Sequence, residues 1–519
     1  MKIGIIIVMI LMAMVSTAAE YTLESEDIQN VLEKAGDNRV ELEKAIAHYK
    51  DSPEIQKYDA LLFLIANMEE QGFVTYRLFD TTGSDVDINV MSFPDYDSLT
   101  NTVRAIEKEK GELDYERTDF IYDADKITAE YLINQIEYAF KAWSERPWAQ
   151  HYDFIQFCRY ILPYRGSNEP LEPWRKYFYD KYEHIISHME DSTNPLEAAA
   201  IINDDIMTWF GFDPRFYYHP TDQGLSEMIA NKLGRCEDMT NVSIYAMRAN
   251  GLAVTSDYTP YWANTGNNHA WNAIVTADGD VIPFMGAEAS PGKYQLHNKA
   301  AKVYRKTYDQ QKENLIFVAP EETEIPRWLK GKNYIDVTRD YVDVSTVDVM
   351  LDEKKDDQLF AYLCVFNAGH WQPIHWGRIH EGTAKFTDMG IDVAYLPAYY
   401  VDEEIVPAAD PFVLHEAGEV FIQTPFDYKQ TVKLLSTTKR KLVESTDGIE
   451  TAFFDDGKEY ELFYWDIEWK SVGTKTASGT SPLVFDEVPV NAVYWLVAND
   501  SDREERIFTI DKDGQQVWW

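Results

Sequence analysis

The chain has 519 residues, with 48 Lys and Arg against 88 Asp and Glu, a net charge of −40. At roughly 150 residues per domain this length gives three or four domains, and 45% hydrophobic residues supply packed cores, which excludes a wholly disordered chain. So acidic a chain repels a phosphate backbone, so no nucleic-acid partner is expected.

Met1-Lys2, the apolar run Ile3 to Val15 and the small residues Ser16-Thr17-Ala18-Ala19 read as a removable secretory signal over 1–19. The run is about a dozen residues where a membrane span needs about 20, and no later stretch is apolar for that length, so no span is expected after signal removal. From 20 to 193 the pattern is helical, as in Tyr58 to Met68 and Ala129 to Trp143, where apolar residues recur at three- and four-residue steps. Mixed helix and strand follow over 194–298, then a helical connector over 299–333. Alternation such as Val342, Val344, Val347 and Val349 predicts β-sandwich modules over 334–430 and 431–519, with Asp456-Gly457 and Asp513-Gly514 suited to tight hairpins.

Cysteine is not structural glue here, because three residues, Cys158, Cys236 and Cys364, cannot frame a chain of this size with disulfides. Cys236 has the most informative surroundings. Gly234-Arg235-Cys236-Glu237-Asp238 precedes Met239, Val242 and Ala246 at helical spacing, which places the thiol at a helix entrance. There the unpaired backbone N–H groups favour a thiolate and can hold an oxyanion. Downstream, His269 opens the strand-like run His269-Ala270-Trp271-Asn272-Ala273-Ile274-Val275. A histidine on a strand facing a helix-start cysteine is an arrangement for acyl transfer, with the imidazole taking the thiol proton.

Taken together, Gly-x-Cys-x-Asp, then Arg248-x-x-Gly251-Leu252, then His269-Ala270-Trp271 resemble the core motif of the transglutaminase-like superfamily of papain-type cysteine enzymes, over roughly 194 to 291. The resemblance implies an α+β fold in which a helix carrying the cysteine packs on an antiparallel sheet carrying the histidine. It also implies Cys236 as nucleophile and His269 as general base. Where the family places an Asp on the next strand, this chain has Met285. A two-residue loop at Asp278-Gly279 would pair Ala277 with Asp280 and set Glu288 opposite His269, with Cβ atoms about 5 Å apart, so Glu288 is the expected orienting carboxylate. Asn272 or a backbone carbonyl are alternatives, and with none of these the site is inactive. For an oxyanion donor beyond the Cys236 N–H, the candidates are the side chains of Trp209 and Gln223.

Other clusters carry less. His370, His375 and His380, near Cys364, stand five residues apart, a step that alternates faces on a strand and turns about 140° on a helix, so they do not converge on a metal. His184 and His188 read as a solvated helix face. The aromatics Phe463-Tyr464-Trp465, Trp469, Tyr494-Trp495 and Trp518-Trp519 are a candidate carbohydrate surface. No metal or cofactor is called for, and no Asp-rich loop has calcium spacing.

The expected function is that of an exported cysteine enzyme, secreted or periplasmic in a bacterium, that forms a thioester with peptide or protein amides, by transamidation, deamidation or proteolysis. Its rival is a catalytically decayed module of the same fold that binds a polysaccharide or protein partner. The missing Asp favours the rival; the presence of both Cys236 and His269 favours the enzyme.

Overall fold

The computed structural model of the chain describes residues 21–352, 358–441, 443–444, 450–478, 481–499, 501 and 504–519; the candidate signal segment lies outside them. The fold mixes helix and sheet, 32% and 31% of residues, in several sheets.

At the centre stands the helix Cys236–Ala249, whose residues from Asp238 to Ala249 are all buried. A helix buried on every side, with polar residues such as Thr240, Asn241 and Ser243 among those buried, needs cover on every side. The helix Trp174–Lys181 covers one flank, with the Trp174 and Tyr245 rings stacked at 5.0 Å. A five-stranded antiparallel sheet covers another; its order runs Val281–Phe284, His269–Val275, Val254–Thr259, Tyr304–Lys306, Tyr334–Asp336.

The helices before this centre, among them Ile55–Ala66 and Ala129–Glu145, share its hydrophobic core, which runs without a break from Ile28 to Val337. Buried arginines bind the parts together. Arg175 Nη2 donates to the carbonyls of Ile161, Leu162 and Pro163, and Arg248 Nη1 to those of Pro163 and Arg165. Residues 20–193 are therefore not a separately cored helical unit. They also contain a two-stranded antiparallel sheet, Gly72–Phe79 with Asp114–Tyr122, joined through the helix Tyr96–Lys110, whose little-buried strands lack the alternation that marks a sheet face.

The expected helical connector over 299–333 is a correction. Its first part is the strand Tyr304–Lys306, inserted in the central sheet, and its helices are the short segments Leu315–Val318 and Arg327–Lys330. Likewise Tyr334–Asp336 belongs to the central sheet and not to a β-sandwich.

Beyond it, eight strands from Val344–Met350 to Val420–Ile422 form one antiparallel sheet. This sheet curls back on itself instead of forming a sandwich: the Gly418 N–H, beside its last strand, donates to Ser345 Oγ on its first at 2.9 Å. The final module does pack two sheets. Phe426–Leu434 with Leu483–Val490 lies over a five-stranded sheet that ends at Gln516–Trp518, around Leu434, Leu462, Phe485 and Phe508. The strand Phe426–Leu434 crosses the expected boundary at 430/431. Asp513-Gly514 does form the hairpin before Gln516–Trp518, whereas Asp456-Gly457 turns the chain into Glu459–Asp466 without joining two paired strands.

The candidate carbohydrate surface is largely an internal contact. Trp465, Trp469 and Trp495 pack with Phe366 and Trp371 between the two β modules, with ring centroids 5.1 to 5.6 Å apart. Trp519 lies over the Lys299 ammonium at 4.9 Å. His370, His375 and His380 share one strand, with His375 turned inward to Tyr304 Oη at 3.2 Å and the other two exposed. His184 and His188 bracket a 3₁₀ turn. Among the described residues no group of three or more His, Cys, Asp or Glu is placed to hold a metal ion, and no helix is long and apolar enough to cross a membrane.

Candidate functional site

Gly234 sets up the entrance to the cysteine helix. A Cβ there would lie 2.6 Å from Asp238 Cβ and 2.9 Å from the Phe210 ring, so only glycine lets the incoming strand pass so close. Asp238, at the third helical position, accepts the N–H of Arg235 through Oδ2 and that of Gln223 through Oδ1, both at 2.9 Å. This is a capping arrangement, and it fixes Cys236 as the first helical residue.

Cys236 and His269 line one cavity of ≈ 550 Å³, and both are half-buried. The Ala270 N–H, from the residue after His269, lies close enough to the thiol to favour its thiolate, which puts the sulfur near the start of the histidine strand. Paired charges flank it: Arg235 meets Asp222 at 2.7 Å, and Lys306 meets Glu237 at 3.0 Å and Ser167 Oγ at 2.8 Å. Burial opposes ionisation of Asp222, but Arg235 and Lys306 hold it below its ordinary value. Tyr258 and Trp328, their rings 6.1 Å apart, form one wall, and Tyr76 and Tyr115 of the N-terminal two-stranded sheet form part of another.

The electrostatics keep the pair neutral at rest. Burial pushes the Cys236 thiol up to about 12 and Glu237 adds to this, outweighing the Ala270 N–H, Arg235 and the helix start. Burial also lowers the His269 imidazole, against the pull of Glu237.

The orienting residue is not Glu288. Ala277, Asp278 and Gly279 form a three-residue loop closed by Thr276 N–H to the Asp280 carbonyl at 2.9 Å, and Gly279 takes φ +91°. Asn272 consequently pairs with Phe284, one residue out of the expected register, and such a slip reverses every side chain. The ladder also stops at Phe284. Residues 285 to 289 turn tightly, held by Asn203 Oδ1 accepting the Ala287 N–H at 2.9 Å, and Glu288 is exposed. His269 Nε2 instead meets Tyr294 Oη at 2.8 Å. Tyr294 stands in the loop after the turn, where neither periodicity nor spacing marks it. Asn272 is committed elsewhere, its Nδ2 donating to the carbonyls of Thr240 and Thr255 at 3.3 and 3.1 Å.

Neither oxyanion candidate lines the cavity. Gln223 is wholly buried, its amide bonded to the Leu233 carbonyl at 3.0 Å and to Asn231 Nδ2 at 2.8 Å. Trp209 packs beside Phe210 under the Lys181 ammonium at 5.0 Å. Donors near Cys236 include the backbone N–H groups of the first helical turn and the hydroxyl of Tyr217, which lines the cavity and whose ionisation the thiol opposes.

A helix-start cysteine and a strand-start histidine facing one cavity define a thiol–imidazole site on a mixed helix-and-sheet core. Residues 184–284 match the family model of the transglutaminase-like superfamily, and the chain carries a domain of that superfamily there. The match ends at Phe284, short of Tyr294 and of the last two strands of the central sheet. Among curated proteins, none matches the chain. Members of the superfamily are usually cysteine enzymes, and the family includes decayed members.

Proposed function

We propose that the protein is a cysteine acyl-transfer enzyme acting on carbonyl bonds of peptides or proteins. The observation that carries this is the cavity shared by Cys236 and His269, with the sulfur near the Ala270 N–H. Tyr294 occupies Nε2, so Nδ1 is the imidazole nitrogen left for the thiol proton. The Cys236 proton passes to Nδ1 as sulfur bonds to the carbonyl carbon, and backbone N–H groups at the helix start hold the oxyanion. Collapse breaks the C–N bond, the imidazolium returns its proton to the leaving amine, and a thioester remains. Water or a second amine then resolves it, giving deamidation or proteolysis in one case and transamidation in the other. The signal-like segment over 1–19 supports export, to the periplasm or exterior of a bacterium.

A second reading follows from the absence of a carboxylate hydrogen-bonded to His269 among the described residues: a decayed site on a domain that binds a protein or polysaccharide partner. Titration with p-nitrophenyl acetate separates the two. The enzyme releases p-nitrophenolate in a burst stoichiometric with protein and leaves an acetyl group on Cys236. Cys236→Ala abolishes the burst, and His269→Ala slows it on the order of 10²-fold. A wild-type protein with no burst and no acetylated Cys236 is the decayed module.

A further inference from the structure

We infer that Asn367, on the curled β sheet, is a positioning residue for His269, so that this module completes the site; the inference rests on the Cys236–His269 reading above. The irregular loop between Thr259 and His269 leads directly into the histidine strand, and its exposed end, Asn267 and Asn268, lines the cavity. Its own backbone bonds hold part of it: the Trp262 N–H donates to the Asn267 carbonyl at 3.2 Å and the Ala263 N–H to the Lys299 carbonyl at 2.9 Å. Asn367 adds to these: the two N–H of its Nδ2 group are shared among the carbonyls of Trp262, Thr265 and Asn267 at 3.0, 2.9 and 3.0 Å, and its Oδ1 accepts the Asn267 N–H at 3.2 Å. One buried amide, 4% exposed, thus gathers three separate points of the loop.

Asn267 shows why such a clamp is needed. It takes φ +88°, a left-handed conformation uncommon for residues with a Cβ, though Asn adopts it more readily than most. Both its N–H and its carbonyl are bonded to Asn367, and it stands two residues before His269. Asn367 is in turn fixed at the end of the strand Phe360–Asn367, where a tight turn through Ala368 and Gly369, both at positive φ, leads to His370. The C-terminal module adds to the grip, with Arg506 donating to the Ala263 carbonyl and Arg440 Nη1 to Thr265 Oγ1 at 3.4 Å. Small displacements of a catalytic group cost large factors in rate, so a loop held from outside the central sheet makes His269 depend on the β modules.

The test uses the full-length protein, the p-nitrophenyl acetate titration at pH 5 to 9, and amide hydrogen exchange over 262–268. Asn367→Asp keeps the shape and the acceptor for the Asn267 N–H but sets a carboxylate oxygen against three carbonyls. Asn367→Ala removes both functions. Acylation is expected to fall at least tenfold in Asn367→Asp and no further in Asn367→Ala. The pH profile of Asn367→Asp should converge on that of His269→Ala, and exchange over 262–268 should accelerate at least tenfold. An Asn367→Asp protein with wild-type acylation and exchange overturns the inference, as does one that outperforms Asn367→Ala, which would mark a packing role. Equal acylation by wild type and His269→Ala is instead a failure of the Cys–His reading, and exchange alone then decides whether Asn367 orders the loop. Should the Asp variant not fold, Asn367→Ser, which keeps one donor, takes its place with the same outcomes.

Discussion

Tyr294 Oη lies 2.8 Å from His269 Nε2, in the position where an orienting carboxylate would serve a thiol–imidazole pair. A phenol fixes the ring as a carboxylate does, but it carries no charge to favour an imidazolium. Together with burial, this leaves thiol and imidazole neutral at rest, with Cys236 pushed up to about 12 and His269 pushed down.

Exchanging that phenol tests its role. Tyr294→Phe removes the hydrogen bond and keeps the ring, and the acylation rate is expected to fall on the order of tenfold, as when a partner that orients a functional histidine is lost. Tyr294→Glu places a carboxylate near Nε2, which raises the imidazole and lowers the thiol. Iodoacetamide labelling of Cys236, which in the wild type should climb with pH well beyond pH 8, is expected to begin at lower pH in this variant. Identical profiles for the three proteins would show that Tyr294 does not act through His269.

Asp238 links the cap of the cysteine helix to pH. Burial and the neighbouring Asp222 push its carboxyl up to about 6, against Arg235 and the two N–H groups that it accepts. A folded-state value above the unfolded one means that the native state binds the proton more tightly. The stabilising contribution is therefore complete below about pH 4, is lost as pH rises through about 6, and is absent above. Thermal unfolding of wild type and Asp238→Asn across pH 4 to 8 checks this. The variant loses cap geometry at every pH, and the gap between the two proteins should narrow as pH rises. A gap that widens with pH would reverse the assigned direction.

Phe366 is 1% exposed and has Trp371, Trp469 and Trp495 edge-on at 5.3 to 5.5 Å, where the two β modules meet. Phe366→Ala is expected to destabilise the protein by ~3 kcal/mol, through lost burial and the cavity left behind. Denaturant unfolding followed by tryptophan fluorescence reports it, because the same rings are the probe. A loss below about 1 kcal/mol would mean that the contact is not tightly packed, since truncations of that size usually cost several times more.

The sequence by itself placed Cys236 at a helix start and His269 at a strand start, because glycine, capping and alternation signals are local and lie within a few residues of each. It also marked the long N-terminal helices and the β-rich C-terminal part. It missed the short strands Tyr304–Lys306 and Tyr334–Asp336, because three residues carry too little pattern to register, and the two-stranded sheet of Gly72–Phe79 and Asp114–Tyr122, because its strands fully bury no face. Only the tertiary structure decided what surrounds His269. A one-residue difference in the loop at 277–279 removed Glu288 from the histidine's face, and a turn stabilised by Asn203, far away in sequence, brought Tyr294 to it. The four bonds from Asn367 to residues 262–267 are likewise contacts across about a hundred positions of chain, which depend on how separate modules dock and leave no periodic trace in either segment.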